Sequence, residues 1–221
     1  VLLTVGHNTI RRLAMGGDFD RAPTVKEMEL MKNMVRHAME DGAAGLSSGL
    51  YYVPGTYAST EEVIELAKIA SEYDGIYTSH IRDEGDFLYD DPEKDGLLDA
   101  IKEAIRIGEE GGLVSNITHI KAEGLLGEEY WGKSVQVTQL IEDARARGTR
   151  VYADQYPYTA SSTSLSAVTV PRWVFADNKA VERIANPETR KRIEREMRDL
   201  IEGGLGLFVP TTDGVGGKNL S

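Results

Sequence analysis

Short apolar runs alternate with amphipathic helical patterns along most of the chain. Strands are predicted at residues 1–6, 44–47, 75–79, 113–118 and 150–154, with a weaker candidate at 205–209. The clearest helical pattern follows Thr24, where Thr24 and Glu27 match a capping box and apolar residues recur at helical spacing. This alternation predicts an α/β fold with a parallel sheet, and four or five units in series favour a slice of a (β/α)8 barrel over a doubly wound sheet.

The composition excludes several classes of protein and partner. Of the 221 residues, 41% are apolar, which is enough for a hydrophobic core and too many for a disordered chain. The 25 Lys and Arg residues against 36 Asp and Glu residues give a formal net charge of −11, which argues against nucleic acid as a partner. No apolar run approaches the roughly 18 residues of a membrane span. No Gly-x-Gly-x-x-Gly turn or P-loop follows a predicted strand, which lowers the nucleotide-binding alternative.

The chain contains no cysteine, so it has neither a disulfide framework nor a thiolate metal ligand of its own. It begins with a predicted buried strand instead of a methionine, and it ends in a predicted loop. We therefore interpret residues 1–221 as the central part of a longer chain that is truncated at both ends. A cytoplasmic location is expected, although the missing leader peptide is no evidence for it.

Two of the four histidines are candidates for a metal site. His80 and His119 end successive predicted strands, and each is followed by Ile, a basic residue, one further residue and Glu. Reactive groups of parallel β/α folds lie at the carboxyl ends of strands, so the two imidazoles are expected side by side, where they suit a divalent ion such as zinc. The alternative is two unrelated loop histidines. His37 is expected on a helix surface, and His7 in either a site or a turn.

Two segments at the same predicted edge supply hydroxyl groups. Residues 46–55 follow the second predicted strand, residues 154–163 follow the fifth, and Lys121 adds a cation two positions after His119. A lysine flanked by Tyr and Ser hydroxyls suits a small-molecule substrate with a free carboxylate. The alternative is aromatic packing of these loops with Lys121 in solvent.

Five motifs in order resemble one enzyme family. They are Gly-Leu-Ser-Ser-Gly-Leu-Tyr-Tyr-Val-Pro-Gly at 45–55, Ser-His-Ile-Arg-Asp-Glu at 79–84, Thr-His-Ile-Lys-Ala at 118–122, Trp-Gly-Lys at 131–133 and Tyr-Pro-Tyr-Thr-Ala-Ser at 156–161. Between about Val5 and Ala167 the chain resembles the N-acyl-D-amino-acid deacylases, or D-aminoacylases, of the metal-dependent amidohydrolase superfamily.

The resemblance implies a zinc enzyme on a (β/α)8 barrel that hydrolyses an N-acyl-D-amino acid to a carboxylate and a free D-amino acid. It implies that His80 and His119 are ligands of the metal and that Lys121 pairs with the substrate carboxylate. The substrate-binding hydroxyl groups implied are those of Tyr52, Tyr156, Tyr158 and Ser162. Which of Tyr156 and Tyr158 contacts the substrate stays open.

The chain departs from the family pattern at three points. The family has a His-x-His pair on an earlier strand and a bridging Cys in a Gly-Asn-Cys-Gly turn, and both are absent from this sequence. The family's catalytic Asp lies on the last strand, and the one candidate here, Asp213, precedes a segment that resembles one ahead of that strand. We therefore expect the chain to cover roughly strands 3 to 7, with the catalytic base downstream. Taken alone, it is expected to bind zinc weakly and to be inactive.

Two other functions remain open at this point. A related cyclic-amide hydrolase, such as a dihydroorotase or a hydantoinase, shares the histidines at strand ends but is not expected to carry the motifs at 45–55 and 156–161. A non-catalytic α/β domain that keeps a carboxylate pocket is the second alternative. The sequence does not indicate an oligomeric state.

Overall fold

The computed structural model describes residues 2–85, 95–122, 133–158, 161–202, 208–209 and 218–219. The chain divides into two compact units. The first unit comprises residues 1–121 and 132–156, and the second comprises residues 122–131 and 157–221. No helix within the described ranges combines the length and the apolar character needed to cross a membrane.

The first unit is built on a five-stranded parallel sheet whose strands follow one another in chain order. These strands are β1 (Val5–Gly6), β2 (Gly45–Gly49), β3 (Ile76–His80), β4 (Val114–Ile117) and β5 (Val151–Ala153). A doubly wound sheet would reverse its strand order part-way, and this sheet does not. The prediction of an α/β fold of the (β/α) barrel type is confirmed.

Within the described ranges of the first unit, five helices connect and cover these strands. They are α1 (His7–Met15), α2 (Val25–Glu40), α3 (Thr60–Ser71), α4 (Gly96–Gly111) and α5 (Ser134–Ala146). Crossovers between parallel neighbouring strands are right-handed, so successive helices lie on the same face of the sheet. Consecutive helices accordingly pack against each other as well as against the strands.

Helix α2 shows how local sequence places an element. The Thr24 side chain accepts a hydrogen bond from the Glu27 N–H, and the Glu27 carboxylate accepts one from the Thr24 N–H at 2.7 Å. This capping box satisfies two N–H groups at the helix end that otherwise lack partners. Met31 and Val35 are fully buried in the core. The methionines of this helix are therefore packing residues, as their helical spacing indicates.

The two faces of the sheet differ in polarity because side chains alternate along a strand. Tyr77 of β3 and Leu46 of β2 are fully buried among core residues from the helices. Thr78 and Asn116, which are register partners on β3 and β4, lie on the opposite face and are half-buried. His80 has the same parity as Thr78, so it is carried on the polar face at the carboxyl end of β3.

Helix α1 is absent from the sequence-based prediction. His7, which the sequence indicates as a residue of either a site or a turn, is the first residue of this helix. The helix lacks a side-chain cap at Gly6, and therefore lacks the start signal that marks α2. Ile10 and Met15 of this helix are buried. The helix therefore depends on tertiary packing.

The second unit contains short helices, one longer helix and a small sheet. Its helices are α6 (Leu165–Thr169), α7 (Ala180–Ala185) and α8 (Pro187–Glu202), with a 3-10 segment at Arg172–Asn178. Within α8, Arg190 pairs with Glu194 and Arg192 with Glu196, each at the i,i+4 spacing that brings side chains together on a helix. The weak strand candidate at 205–209 is corrected: β6 (Phe208–Val209) pairs antiparallel with β7 (Lys218–Asn219) and does not extend the parallel series.

Candidate metal centre

The structure brings together the two histidines that were predicted to hold a metal. His80 is the last residue of β3 and is the register partner of Gly49 on β2. His119 follows β4 by two residues. Nδ1 of His80 lies 2.9 Å from Nε2 of His119, and the ring centroids are 4.6 Å apart. Adjacent parallel strands thus deliver two imidazoles to one point of the sheet edge.

Asp154 fixes the backbone at His119. The φ angle of His119 is 44°, in the left-handed region that non-glycine residues seldom adopt. Its N–H donates to Oδ1 of Asp154 at 2.7 Å, and Oδ2 of Asp154 accepts from Nδ2 of Asn116 at 2.5 Å. Asp154 directly follows β5 and Asn116 lies on β4, so these two neighbouring strands hold the backbone at His119. Asp154 is not among the predicted site residues, although its position at the end of a strand is a signal for one.

Glu84 completes a cluster of three side chains that can bind a metal. Its side chain is 3% exposed, and Oε1 lies 2.6 Å from Nζ of Lys121 and 3.3 Å from Nδ1 of His119. His80, Glu84 and His119 each offer a ligand atom, and these atoms lie within 4.8 Å of one another. Glu84 was missed as a site residue. Its signal is the repeated pattern in which Glu stands four positions after each histidine.

His80 has two properties that suit a metal ligand. Its Nε2 is buried and has no hydrogen-bond partner among the residues that the structure describes, whereas buried polar atoms in proteins are nearly always satisfied. Burial, together with the charges of His119 and Lys121, lowers the pKa of His80 to about 3. The ring is therefore neutral near pH 7, which is the form that coordinates metals.

The spacing of the imidazoles also fits a divalent ion. The ligand atoms of His80, Glu84 and His119 lie within 4.8 Å of one another, and a ring nitrogen binds zinc at about 2.0–2.1 Å. The three side chains are therefore close enough to meet at one ion. The residues present therefore fit the metal that the resemblance implies.

Three of the predicted substrate-binding residues lie around these histidines. The Tyr52 ring centroid is 4.8 Å from that of His80. Nζ of Lys121 is 3.2 Å from Nδ1 of His119 and 5.8 Å from the ring centroid of Tyr156. Tyr52, Lys121 and Tyr156 thus surround the paired imidazoles within the first unit.

The other predicted site residues lie elsewhere in the chain. Tyr158 and Ser162 belong to the second unit, where both are exposed. Asp213, the weak candidate for a base, lies outside the described residues.

The remaining two histidines do not belong to the cluster. His37 is exposed on α2, as expected. His7 is fully buried, with Nε2 2.8 Å from Oε1 of Glu62, whose other oxygen pairs with Arg11. Burial raises the pKa of Glu62, but hydrogen bonds from His7 and Arg11 outweigh it and leave that pKa below its usual value. His7 is thus part of a buried ionic network under α1 and α3.

The sequence of this chain is similar to those of known deacylases. No protein-family model matches the chain. The D-aminoacylase of Alcaligenes xylosoxydans xylosoxydans is 39% identical to it over 161 residues, which is 73% of this chain and 30% of the relative. The chain is a relative of the N-acyl-D-amino-acid deacylases. The resemblance inferred from the five motifs is confirmed.

Solved deacylase structures share the fold of this chain. One is the N-acyl-D-glutamate deacylase from Bordetella bronchiseptica in complex with zinc and a phosphonate that mimics the tetrahedral intermediate. It has a TM-score of 0.67 and 32% identity, over 87% of this chain and 45% of that one. A D-aminoacylase with a binuclear metal centre has a TM-score of 0.65 and 35% identity, over 75% and 33%. The chain spans about 30% of the length of the curated deacylases it matches.

Proposed function

We propose that residues 1–221 are the central part of a (β/α)8 barrel, roughly its third to seventh strands. The whole protein would use a divalent ion to hydrolyse the amide bond of N-acyl-D-amino acids. The observation that carries this proposal is the cluster of His80, Glu84, His119 and Lys121 at the carboxyl edge of the sheet. It occurs in a chain that is 39% identical to a D-aminoacylase.

In this proposal His80 and His119 hold the ion, and zinc is the first choice because neutral imidazole is among its preferred ligands. Glu84 is either a third ligand or the partner that orients His119, since its carboxylate lies 3.3 Å from Nδ1 of that ring. When bound, the ion polarises the amide carbonyl and lowers the pKa of a water molecule.

Lys121 is proposed to bind the substrate carboxylate. Its ammonium group is held beside the histidine pair by the buried Glu84 carboxylate at 2.6 Å. An amide bond and an α-carboxylate are separated by a single carbon in an N-acyl amino acid, so an ammonium group close to the metal ligands suits that arrangement. Tyr52 and Tyr156 are the hydroxyl donors that lie in the same unit, and Tyr158 and Ser162 stay candidates from the second.

The catalytic base is assigned to none of the residues of this chain. The resemblance implies an Asp on the last strand of the barrel, beyond the strands described above. The residues described here therefore bind and orient the substrate and hold the ion, and a carboxylate supplied from elsewhere in the protein transfers the proton to the leaving amine.

The test uses the whole protein that contains this chain, loaded with zinc and assayed against N-acetyl-D-amino acids with neutral and acidic side chains. We expect hydrolysis of D but not L substrates, and about one bound ion or more per chain. His80→Ala and His119→Ala should each lose most of the metal and the activity, whereas His37→Ala should keep both. Activity confined to dihydroorotate or hydantoins would favour a cyclic-amide hydrolase. A metal-free protein that binds carboxylates would favour a non-catalytic domain.

A further inference from the structure

The turn that carries Tyr52 accepts two hydrogen bonds from the side chain of Asn8, which lies on α1. Nδ2 of Asn8 donates to the carbonyl of Gly49 at 3.0 Å and to that of Tyr52 at 3.4 Å. These two carbonyls bracket the segment that leaves β2 and presents the Tyr52 ring to His80. The two N–H bonds of the Asn8 amide allow it to donate to both oxygens.

Asn8 lies next to the buried pair of His7 and Glu62. Its Oδ1 lies 3.3 Å from Nδ1 of His7, and Nε2 of His7 lies 2.8 Å from the Glu62 carboxylate. His7 is fully buried and Glu62 is nearly so. The amide of Asn8 has its Nδ2 toward the turn, because the carbonyls of Gly49 and Tyr52 can only accept, and this places its Oδ1 toward His7.

The turn is packed directly on Asn8. A Cβ added to Gly55 would lie 2.4 Å from Oδ1 of Asn8 and 2.8 Å from the Gly49 carbonyl. Only glycine lets the chain return this close to the Asn8 amide. At the other end of the contact, a Cβ on Gly49 would lie 3.2 Å from the Tyr52 ring.

The far end of the same turn has an independent support. Arg82 donates to the carbonyls of Thr56 at 3.1 Å and of Ala58 at 2.9 Å. It is held in turn by Glu103 at 2.8 Å. Asn8 therefore binds the half of the turn that contains Tyr52, and Arg82 binds the half that follows.

We propose that Asn8 is a positioning residue for substrate binding, which acts by holding the Tyr52 ring against His80. This inference rests on the proposed function, in which Tyr52 binds the substrate.

The test is the isosteric variant Asn8→Asp in the zinc-loaded whole protein. A carboxylate keeps the shape of the amide but cannot donate to the two carbonyls. We expect KM for an N-acyl-D-amino acid to rise about tenfold, the effect of losing roughly one or two hydrogen bonds, with kcat changed less than threefold and the metal content unchanged. Asn33→Asp, the same change at an exposed position of α2, should match the wild type in all three quantities.

A double-mutant cycle separates positioning from a general structural effect. If Asn8 acts through Tyr52, then Asn8→Asp adds nothing to KM in a Tyr52→Ala background, whereas independent effects would multiply. The proposal would be overturned if Asn8→Asp raised KM by the same factor in the Tyr52→Ala background as in the wild type. It would also be overturned if Asn8→Asp alone left KM at the wild-type value in an active enzyme. A wild-type protein without deacylase activity would instead contradict the proposed function.

Hydrogen exchange gives a readout that does not depend on activity. The Tyr52 amide donates to Gly49 O at 3.1 Å and the Thr56 amide to Tyr52 O at 2.9 Å, so both use the acceptors that Asn8 holds. These two amides should exchange faster in Asn8→Asp, and amides of α2 should not. If Asn8→Asp does not fold, Asn8→Ala replaces it in every measurement. Failure of both variants to fold would also overturn the proposal, since Asn8 would then be required for folding itself.

Discussion

At the scale of single residues, Lys121 lies between a buried carboxylate and the metal-ligand candidates. Its ammonium group is 2.6 Å from Glu84 and 3.2 Å from Nδ1 of His119. The alternative of a solvent-exposed lysine beside packed aromatic loops does not describe this geometry. The ammonium group is instead held in one place, between Glu84 and His119.

Replacing Lys121 by Met tests that role. Methionine keeps the length and the apolar stem but removes the charge, so KM for an N-acyl-D-amino acid should rise at least about tenfold. The zinc content should stay near that of the wild type, as measured by atomic emission. Lys102→Met on the exposed face of α4 is the matched control and should change neither quantity. An unchanged KM in Lys121→Met would remove the carboxylate-binding role.

Glu62 makes stability depend on pH. Its pKa is lower in the folded protein than its ordinary value of 4.5, so it contributes stability that is present above pH 4.5 and is lost as the pH falls through the folded value. Glu62→Gln should cost about 3 kcal/mol at pH 7, because it leaves the buried Arg11 charge without its partner. Urea unfolding at pH 7 and pH 3 measures this, and the cost should shrink at pH 3. A cost that is equal at both pH values, or equal to that of exposed Glu29→Gln, would contradict this account.

The sequence predicts some site residues and not others, for a physical reason. His80 and His119 are predictable because neighbouring parallel strands end at the same edge, so strand position alone brings them together. Asp154 and Glu84 are harder to predict, because their contacts with His119 depend on how a loop folds back and how three strands are aligned. The repeated His-Ile-basic-x-Glu pattern at 80–84 and 119–123 is present in the sequence, but spacing alone does not show which carboxylate turns inward.

At the scale of elements, helices with strong end signals are predicted and a helix without them is not. Helix α2 has its capping box, and α3 is capped by Ser59, whose side chain accepts from the Glu62 N–H. Helix α1 has no side-chain cap, and the Gly6-His7-Asn8 sequence at its start also suits a turn. Tertiary burial of His7 and Arg11, which local patterns do not encode, determines that the chain is helical there.

The capping box of α2 can be tested by one substitution. Thr24→Ala removes the acceptor for the Glu27 N–H and should lower the free energy of unfolding by about 1 kcal/mol. Thr24→Ser retains a hydroxyl acceptor and should stay within a few tenths of a kcal/mol of the wild type. Chemical denaturation followed by circular dichroism measures both. Equal stability of the Ala and Ser variants would show that the cap does not stabilise this helix.

At the scale of the whole molecule, the order β1 to β5 without reversal is what allows one sheet edge to carry the site. Tyr52 follows β2, His80 ends β3, His119 and Lys121 follow β4, and Asp154 follows β5. Strand order is predictable from the alternation of apolar runs and helical patterns. The short antiparallel pair β6–β7 is not, since a two-residue strand leaves almost no pattern.

If His80 and His119 together hold the metal, anomalous diffraction at the zinc absorption edge, from crystals of the zinc-loaded whole protein, shows it most directly. We expect a peak about 2.0–2.1 Å from a ring nitrogen of each histidine. Zinc peaks that lie elsewhere, with the two imidazoles still in direct contact with each other, would rule out this pair as the metal ligands.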